Sequence, residues 1–223
     1  DDKTYVDLGG QWIGPTQDKM YELCKEYSVE TFPTYDKGRS SLFFNNQLKR
    51  YKGIIPPLPL FALLSLNKGI KRINKLSKYI NLEQPWLSPN AAEWDAMTTE
   101  QWMQQTMKNE TARTMFRLAY EAIFASHPQH VSLLHSLFYT KSGKDFEVLM
   151  NIRNGAQQDR MLGGAQSVCL KMAEELNDTL QLNKAVISIS QNSDGVEVKG
   201  EGFSYSARKI IIAVPPAVAG KIS

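Results

Sequence analysis

The chain has 223 residues, 42% of them hydrophobic and 22% charged, with a net charge of +3 at neutral pH. That balance suits a globular protein of one large domain or two small ones and excludes a disordered or fibrous chain. Its Lys and Arg are scattered, so no dense basic stripe marks a dedicated nucleic-acid surface.

In chain order, a short apolar strand is expected at 6–8, ending on Gly9 and Gly10. Two adjacent glycines carry no Cβ, so the backbone there bends sharply and lies flat against a ligand or another segment. Trp12 offers a π face, Gly14 follows, and Pro15 suits the first turn of a helix. Met20, Leu23, Cys24 and Tyr27 recur at helical spacing and predict an amphipathic helix over 16–27. A short strand is read at 29–32, and a hairpin over 41–51 turning at Asn45-Asn46. The apolar stretch 54–66 is too short to span a bilayer and is interrupted by Pro56, Pro57 and Pro59. Residues 60–80 read as one helix or as two divided at Gly69. Within them Lys68, Lys71, Arg72, Lys75 and Lys78 interleave with Ile70, Ile73 and Leu76, as on the wet face of an amphipathic helix rather than a polybasic membrane contact.

Thr98-x-x-Gln101 is a capping box opening a helix to about Met107. Asn109 caps a second helix, with Ala112, Met115, Phe116, Ala119, Ile123 and Phe124 inward, and Ser132 caps a third to about Lys141. Beyond Gly143 a strand is read at 147–153, a turn at Asn154-Gly155, a strand at 159–162, and a helix over 165–176. Strands at 180–182, 186–190, 196–199 and 203–207 follow, the later ones forming a β-meander. The apolar run 209–214 reads as a strand buried on both faces of a parallel sheet, with partners lying partly outside this chain. The fold class is therefore α+β or α/β.

Cys24 and Cys169 lack metal-ligand spacing and read as small buried hydrophobes in a reducing compartment. With no apolar N-terminal signal, a cytoplasmic location is expected. His127, His130 and His135 have no acidic or thiol partner nearby, so no metal site is expected. Gly163-Gly164 lacks a following Lys-Ser or Lys-Thr and reads as a structural turn rather than a phosphate cradle. No nucleophile–base pair is apparent, and no catalytic residue is assigned.

The run Val6-Asp7-Leu8-Gly9-Gly10-Gln11-Trp12-Ile13-Gly14-Pro15-Thr16-Gln17 resembles a motif of flavin-containing amine oxidases of the monoamine oxidase family. Two more stretches resemble that family in the same order: 154–164, and the meander with Ala213-Val214-Pro215-Pro216. The resemblance implies a central fragment of a two-domain FAD-dependent amine oxidase. Residues 1–32 and 162–223 would belong to a Rossmann-like flavin domain carrying the meander, and 33–161 to the helical first part of a substrate domain. It implies cofactor contacts at Gly9, Gly10, Gln11, Trp12, Val186 and Ala213. It places Gln157 in the substrate cavity near the flavin, Ile123 on the cavity wall, and Leu149 and Met150 at its gate.

The implied activity is oxidative deamination of a small-molecule amine, with FAD carrying the redox chemistry. Other substrates of the superfamily, namely amino acids, polyamines or porphyrinogens, remain open. So does a non-catalytic interaction module built from an oxidase fold. The Gly-x-Gly-x-x-Gly unit that anchors FAD pyrophosphate is not in this sequence, nor are the family's downstream lysine and aromatic cage. The 223 residues alone are therefore expected to bind FAD weakly or not at all and to be inactive. A cut edge of the parallel sheet is also expected to allow homodimerisation.

Overall fold

The computed structural model describes residues 5–53 and 56–223, so the start of the apolar stretch at Ile54 and Ile55 lies outside the described residues. Two compact units divide the chain, residues 1–170 and 171–223. In the first, β1 (Trp12–Ile13), α1 (Asp18–Glu26), β2 (Thr31–Pro33) and a hairpin of β3 (Ser40–Phe44) and β4 (Gln47–Tyr51) precede a helical stretch. That stretch comprises α2 (Leu60–Ser77), α3 (Ala91–Asp95), α4 (Thr99–Thr106), α5 (Glu110–Phe124), α6 (Leu133–Ser142) and α7 (Phe146–Met150). The chain then forms β5 (Asp159–Met161) and α8 (Gln166–Leu176), whose second half enters the other unit. There β6 (Val186–Gln191), β7 (Val196–Gly200), β8 (Phe203–Ala207) and the short α9 (Pro216–Ala219) complete the chain.

The helices start where their caps dictate. Thr98 Oγ1 accepts from the Gln101 amide at 3.2 Å, and Gln101 Oε1 accepts from the Thr98 amide at 2.9 Å, so both halves of the box are made. Asn109 and Ser132 cap α5 and α6 in the same way, accepting from the Ala112 and His135 amides. The starts of α4 and α6 are stapled by the Leu133 amide donating to Met97 O at 2.8 Å and the Thr99 amide to Val131 O at 3.0 Å. Beneath them the hydroxyls of Thr99, Ser136 and Tyr120 form a fully buried chain with 2.7 Å links. Burial pushes the Tyr120 phenol above its ordinary pKa, which keeps it a neutral hydrogen-bonding group.

Two cores result. The larger joins Ile73, Trp94, Trp102, Phe116, Leu137 and Phe146, with Phe116 stacked on Phe146 at 4.7 Å. The smaller joins Ile13, Cys24 and Val29 to Met161 and Val168. It lies under an antiparallel sheet of order β1–β5–β2. In the second unit β6, β7 and β8 make an antiparallel meander. Its first turn is closed by Asn192 Oδ1, which accepts from the Asp194 and Gly195 amides.

Several expectations are corrected. Residues 146–150 form α7, not part of a strand over 147–153, because Asp145 caps them through the Val148 amide at 2.8 Å and Phe146 and Leu149 bury one helical face. Helix α2 runs unbroken through Gly69, whose bare backbone accepts the Met107 thioether. Pro15 lies ahead of α1, in a separate turn closed by Gln17, whose amide donates to Gly14 O while its side chain accepts from Gly14 N. Residues 6–8, 180–182 and 209–214 form no strand. Among the described residues the last run has no pairing partner, and Ile211 is 91% exposed. A lone strand cannot satisfy its backbone groups, so apolarity alone does not make one. Cys24 is buried as expected, whereas Cys169 is exposed on α8.

The stacked Phe116 makes the larger core testable. Phe116→Ala should cost about 3–5 kcal/mol, seen as a lower urea midpoint at unchanged slope. A loss below about 1 kcal/mol would show that the ring is not a core keystone.

Candidate functional site

The sheet β1–β5–β2 brings the first two sequence landmarks together. Trp12 pairs with Arg160 and Ile13 with Asp159, and on the other edge of β5 Phe32 pairs with Arg160. Residues directly opposite in an antiparallel pair share a face, so Trp12, Arg160 and Phe32 form one cross-strand row. The Arg160 guanidinium lies 5.8 Å from the Phe32 ring centre and 3.5 Å from Asp7 Oδ2, while its Nε is buried without a partner. On the opposite face Asp159 accepts from the Tyr21 hydroxyl at 2.6 Å and from the Gln158 amide at 3.1 Å. Burial and the adjacent carboxylate push the Tyr21 phenol well up, so it acts as a fixed donor.

Beyond the strand pair, the chains touch backbone to backbone. A Cβ on Gly14 would collide with the Gly155 carbonyl, and one on Gly155 would collide with Asn151 O. Asn154, with φ +53°, begins the expected turn. The turn is tied to α7 by the Ala156 amide donating to Val148 O at 2.9 Å and the Gln157 amide to Asn151 O at 3.2 Å. Gln157, half-buried, therefore sits beside β1 and immediately after the α7 carbonyls.

Gly9 and Gly10 differ from Gly14. A Cβ on either would meet no atom within 4 Å, and neither has a left-handed φ. Neither the fold nor the local backbone of this chain demands glycine there. With Gln11 half-buried and Trp12 40% exposed, they form an open wall rather than an enclosed cavity. Leu149 is core-buried, Met150 half-buried, and Ile123 packs on the larger core at the end of α5. In the second unit, Val186 is half-buried opposite Gly200, and Ala213 is exposed in the unpaired run.

Sequence reasoning missed Asp7. Its Oδ1 accepts from the Ala165 amide at 2.8 Å, which places a carboxylate at the start of α8. That position already holds an anion, so the turn after Gly163-Gly164 is not a phosphate cradle. The partner lies 158 residues away, so no local pattern reveals it.

A bare two-glycine backbone beside an exposed indole and a neutral amide fits one wall of a flat aromatic cofactor. It offers no phosphate site. The glycine contrast is testable in stability alone: Gly14→Ala should cost roughly 1–3 kcal/mol or more by forcing β1 off the 155 carbonyl. Gly9→Ala should shift stability by less than about 0.5 kcal/mol. Equal losses in thermal melts would sink the distinction.

The whole chain, residues 1–223, matches the family described as flavin containing amine oxidoreductase. A probable flavin-containing monoamine oxidase A of Dictyostelium discoideum is 34% identical over 221 residues, covering 98% of this chain and 48% of that protein. A flavin-containing amine oxidase of Danio rerio is 34% identical over 98% of this chain and 42% of its own length. Among solved structures, putrescine oxidase bound to putrescine superposes with a TM-score of 0.90 at 28% identity, over 98% of this chain and 49% of that one. Cyclohexylamine oxidase from Brevibacterium oxydans IH-35A gives 0.90 at 29%, over 97% and 48%. The chain thus spans about half the length of the relatives it matches. It belongs to the flavin-containing amine oxidoreductase family.

Proposed function

We propose that this chain is the central part of an FAD-dependent oxidase of small amines, contributing one wall of the flavin site and part of the substrate cavity. The observation that carries the reading is Gly9-Gly10. Their missing side chains meet nothing inside the chain, and they lead into Trp12 and on to Gly14, which lies against the turn before Gln157. The Gly9–Trp12 segment would hold FAD, which would supply the acceptor for two electrons from the carbon bearing the amine, with dioxygen reoxidising it to give hydrogen peroxide and water hydrolysing the imine to a carbonyl compound and ammonia or a smaller amine.

The chain's own residues bind and orient. The Gly9–Trp12 segment lies against the ring. The Gln157 amide hydrogen-bonds substrate without adding charge. Leu149 and Met150, on the helix whose carbonyls hold the Gln157 turn, gate an apolar cavity closed by Ile123. In the second unit, the family resemblance assigns cofactor contacts to the backbone at Val186 and Ala213.

Residues 1–32 and 162–223 are assigned to a flavin domain and 33–161 to a substrate domain, a division that the cores support as far as Val168. Ile13, Cys24 and Val29 pack with Met161 and Val168, while the helices pack among themselves. Two free thiols support a reducing, cytoplasmic setting. A polyamine substrate is the second reading, favoured by the likeness to putrescine oxidase. None of Gln157, Ile123, Leu149 and Met150 is acidic, so these four offer no counter-charge to a second ammonium group. Because this sequence holds no pyrophosphate-binding turn, we also propose that the 223 residues alone hold FAD weakly.

Protein from the full reading frame should purify with a flavin absorbance spectrum and release hydrogen peroxide with monoamines. Gly10→Val should lose the flavin while circular dichroism stays unchanged. Gln157→Ala should lower kcat/KM roughly 2- to 10-fold, mostly through KM. Colourless wild-type protein, or full flavin loading of Gly10→Val, would reject the reading. The 223-residue chain expressed alone should be colourless.

A further inference from the structure

Two glutamines stand side by side just before β5, and the chain uses them in opposite ways. The Gln157 side chain makes no hydrogen bond among the described residues. The Gln158 side chain spends both ends of its amide inside the chain. Its Oε1 accepts from the Asn154 amide at 3.1 Å, and its Nε2 donates to Asp159 Oδ2 at 3.1 Å. The same carboxylate oxygen accepts from the Tyr21 hydroxyl at 2.6 Å. A carboxylate only accepts, so it fixes which end of the Gln158 amide faces it and leaves the oxygen for Asn154. Tyr21 thereby reaches, through two side chains, the residue that opens the turn with φ +53°. Its ring packs on the smaller core, so the hydroxyl is presented from a rigid base.

We infer that Tyr21, Asp159 and Gln158 are positioning residues for the substrate: a relay from α1 that clamps the 154–158 turn and so fixes where the Gln157 amide points. The role rests on reading Gln157 as the amide that meets the amine. Two bonds from α7 hold the middle of the turn, at the amides of Ala156 and Gln157. Its flanks, Asn154 and Gln158, are held instead by the relay and by the Thr34 amide, which donates to Gln158 O at 2.8 Å. The fold has little other use for the relay. Strand β5 is already paired on both edges, and Met161 anchors it in the smaller core. Asn154 is exposed, so water would satisfy its amide if the relay were absent. What the relay adds is order, and a hydrogen bond to a reacting molecule depends on order to fractions of an ångström.

The test uses protein from the full reading frame. Tyr21→Phe keeps the ring in the core and deletes the hydroxyl. Gln158→Leu keeps most of the volume and cuts the link to Asn154. Hydrogen exchange needs neither flavin nor amine: amides 154–158 should exchange roughly three- to tenfold faster in both variants, with α4, α5 and α6 unchanged. With amine, each variant should raise KM roughly 2- to 10-fold at near-constant kcat, and by no more than Gln157→Ala does. In a Gln157→Ala background neither should raise KM further, since the relay acts through that amide. Unchanged exchange at 154–158 overturns the proposal. So do losses that add to that of Gln157→Ala, or that fall on kcat and flavin content, which would mean support of the fold alone. If Gln158→Leu loses its circular dichroism, Tyr21→Phe carries the test. Wild-type protein that oxidises no amine rejects the oxidase reading and the substrate role with it. Wild-type oxidation with flat exchange rejects the relay alone.

Discussion

The approach of Gly14 to the Gly155 carbonyl is the constraint on which the candidate site depends. Strand β1 pairs through two residues, too few to hold a chain in place by ladder bonds alone. What fixes it is that the next residue lies directly on the 154–158 turn, and that this turn in turn lies on the end of α7. Three stretches of backbone stack with no side chain between them. Any Cβ inserted there pushes the stack apart, and with it the spacing between Trp12 and the Gln157 turn.

That stack sorts the glycines by what they answer to. Gly14 and Gly155 are glycine because the fold leaves no room. Gly9 and Gly10 have room and an ordinary φ. Glycine confers extra backbone entropy on the unfolded chain, so the pair is a cost that no contact within these residues offsets. Asp7, two residues before the pair, is by contrast tied down, its carboxylate accepting from the Ala165 amide just ahead of α8.

Much of the helical part was legible in the sequence, because caps are local. Thr98, Asn109 and Ser132 each name their partner three residues on, and each does cap its helix. Asp145 works by the same rule, yet the apolar run behind it reads equally well as a strand. Only the burial of Phe146 and Leu149 on one face decides between them. The opposite failure occurs at 209–214, where composition indicates a buried strand but no pairing partner exists among the described residues. A strand is a property of two segments. At the site, Gly9-Gly10-Gln11-Trp12 and Gln157 were legible as motifs. The meeting of β1 and Gly14 with β5 and the turn before it was not, because it comes from the register of β1 on β5, across about 150 residues of sequence.

Strand β5 couples the two halves of that arrangement. It follows Gln157 directly, pairs with β1 on one edge and with β2 on the other, and contributes Met161 to the smaller core. The same turn takes its hydrogen bonds from α7, which carries Leu149 and Met150 and packs Phe146 into the larger core. A displacement of the helical core therefore reaches Gln157 through α7 before it reaches Trp12, and β5 resists it through both neighbours. Reaction between two bound partners needs their atoms held within fractions of an ångström of contact geometry. Residues on flexible loops from separate domains would not achieve that. Here the residue proposed to hold substrate lies two residues before β5, and the wall proposed to hold the ring runs into β1, which pairs with β5.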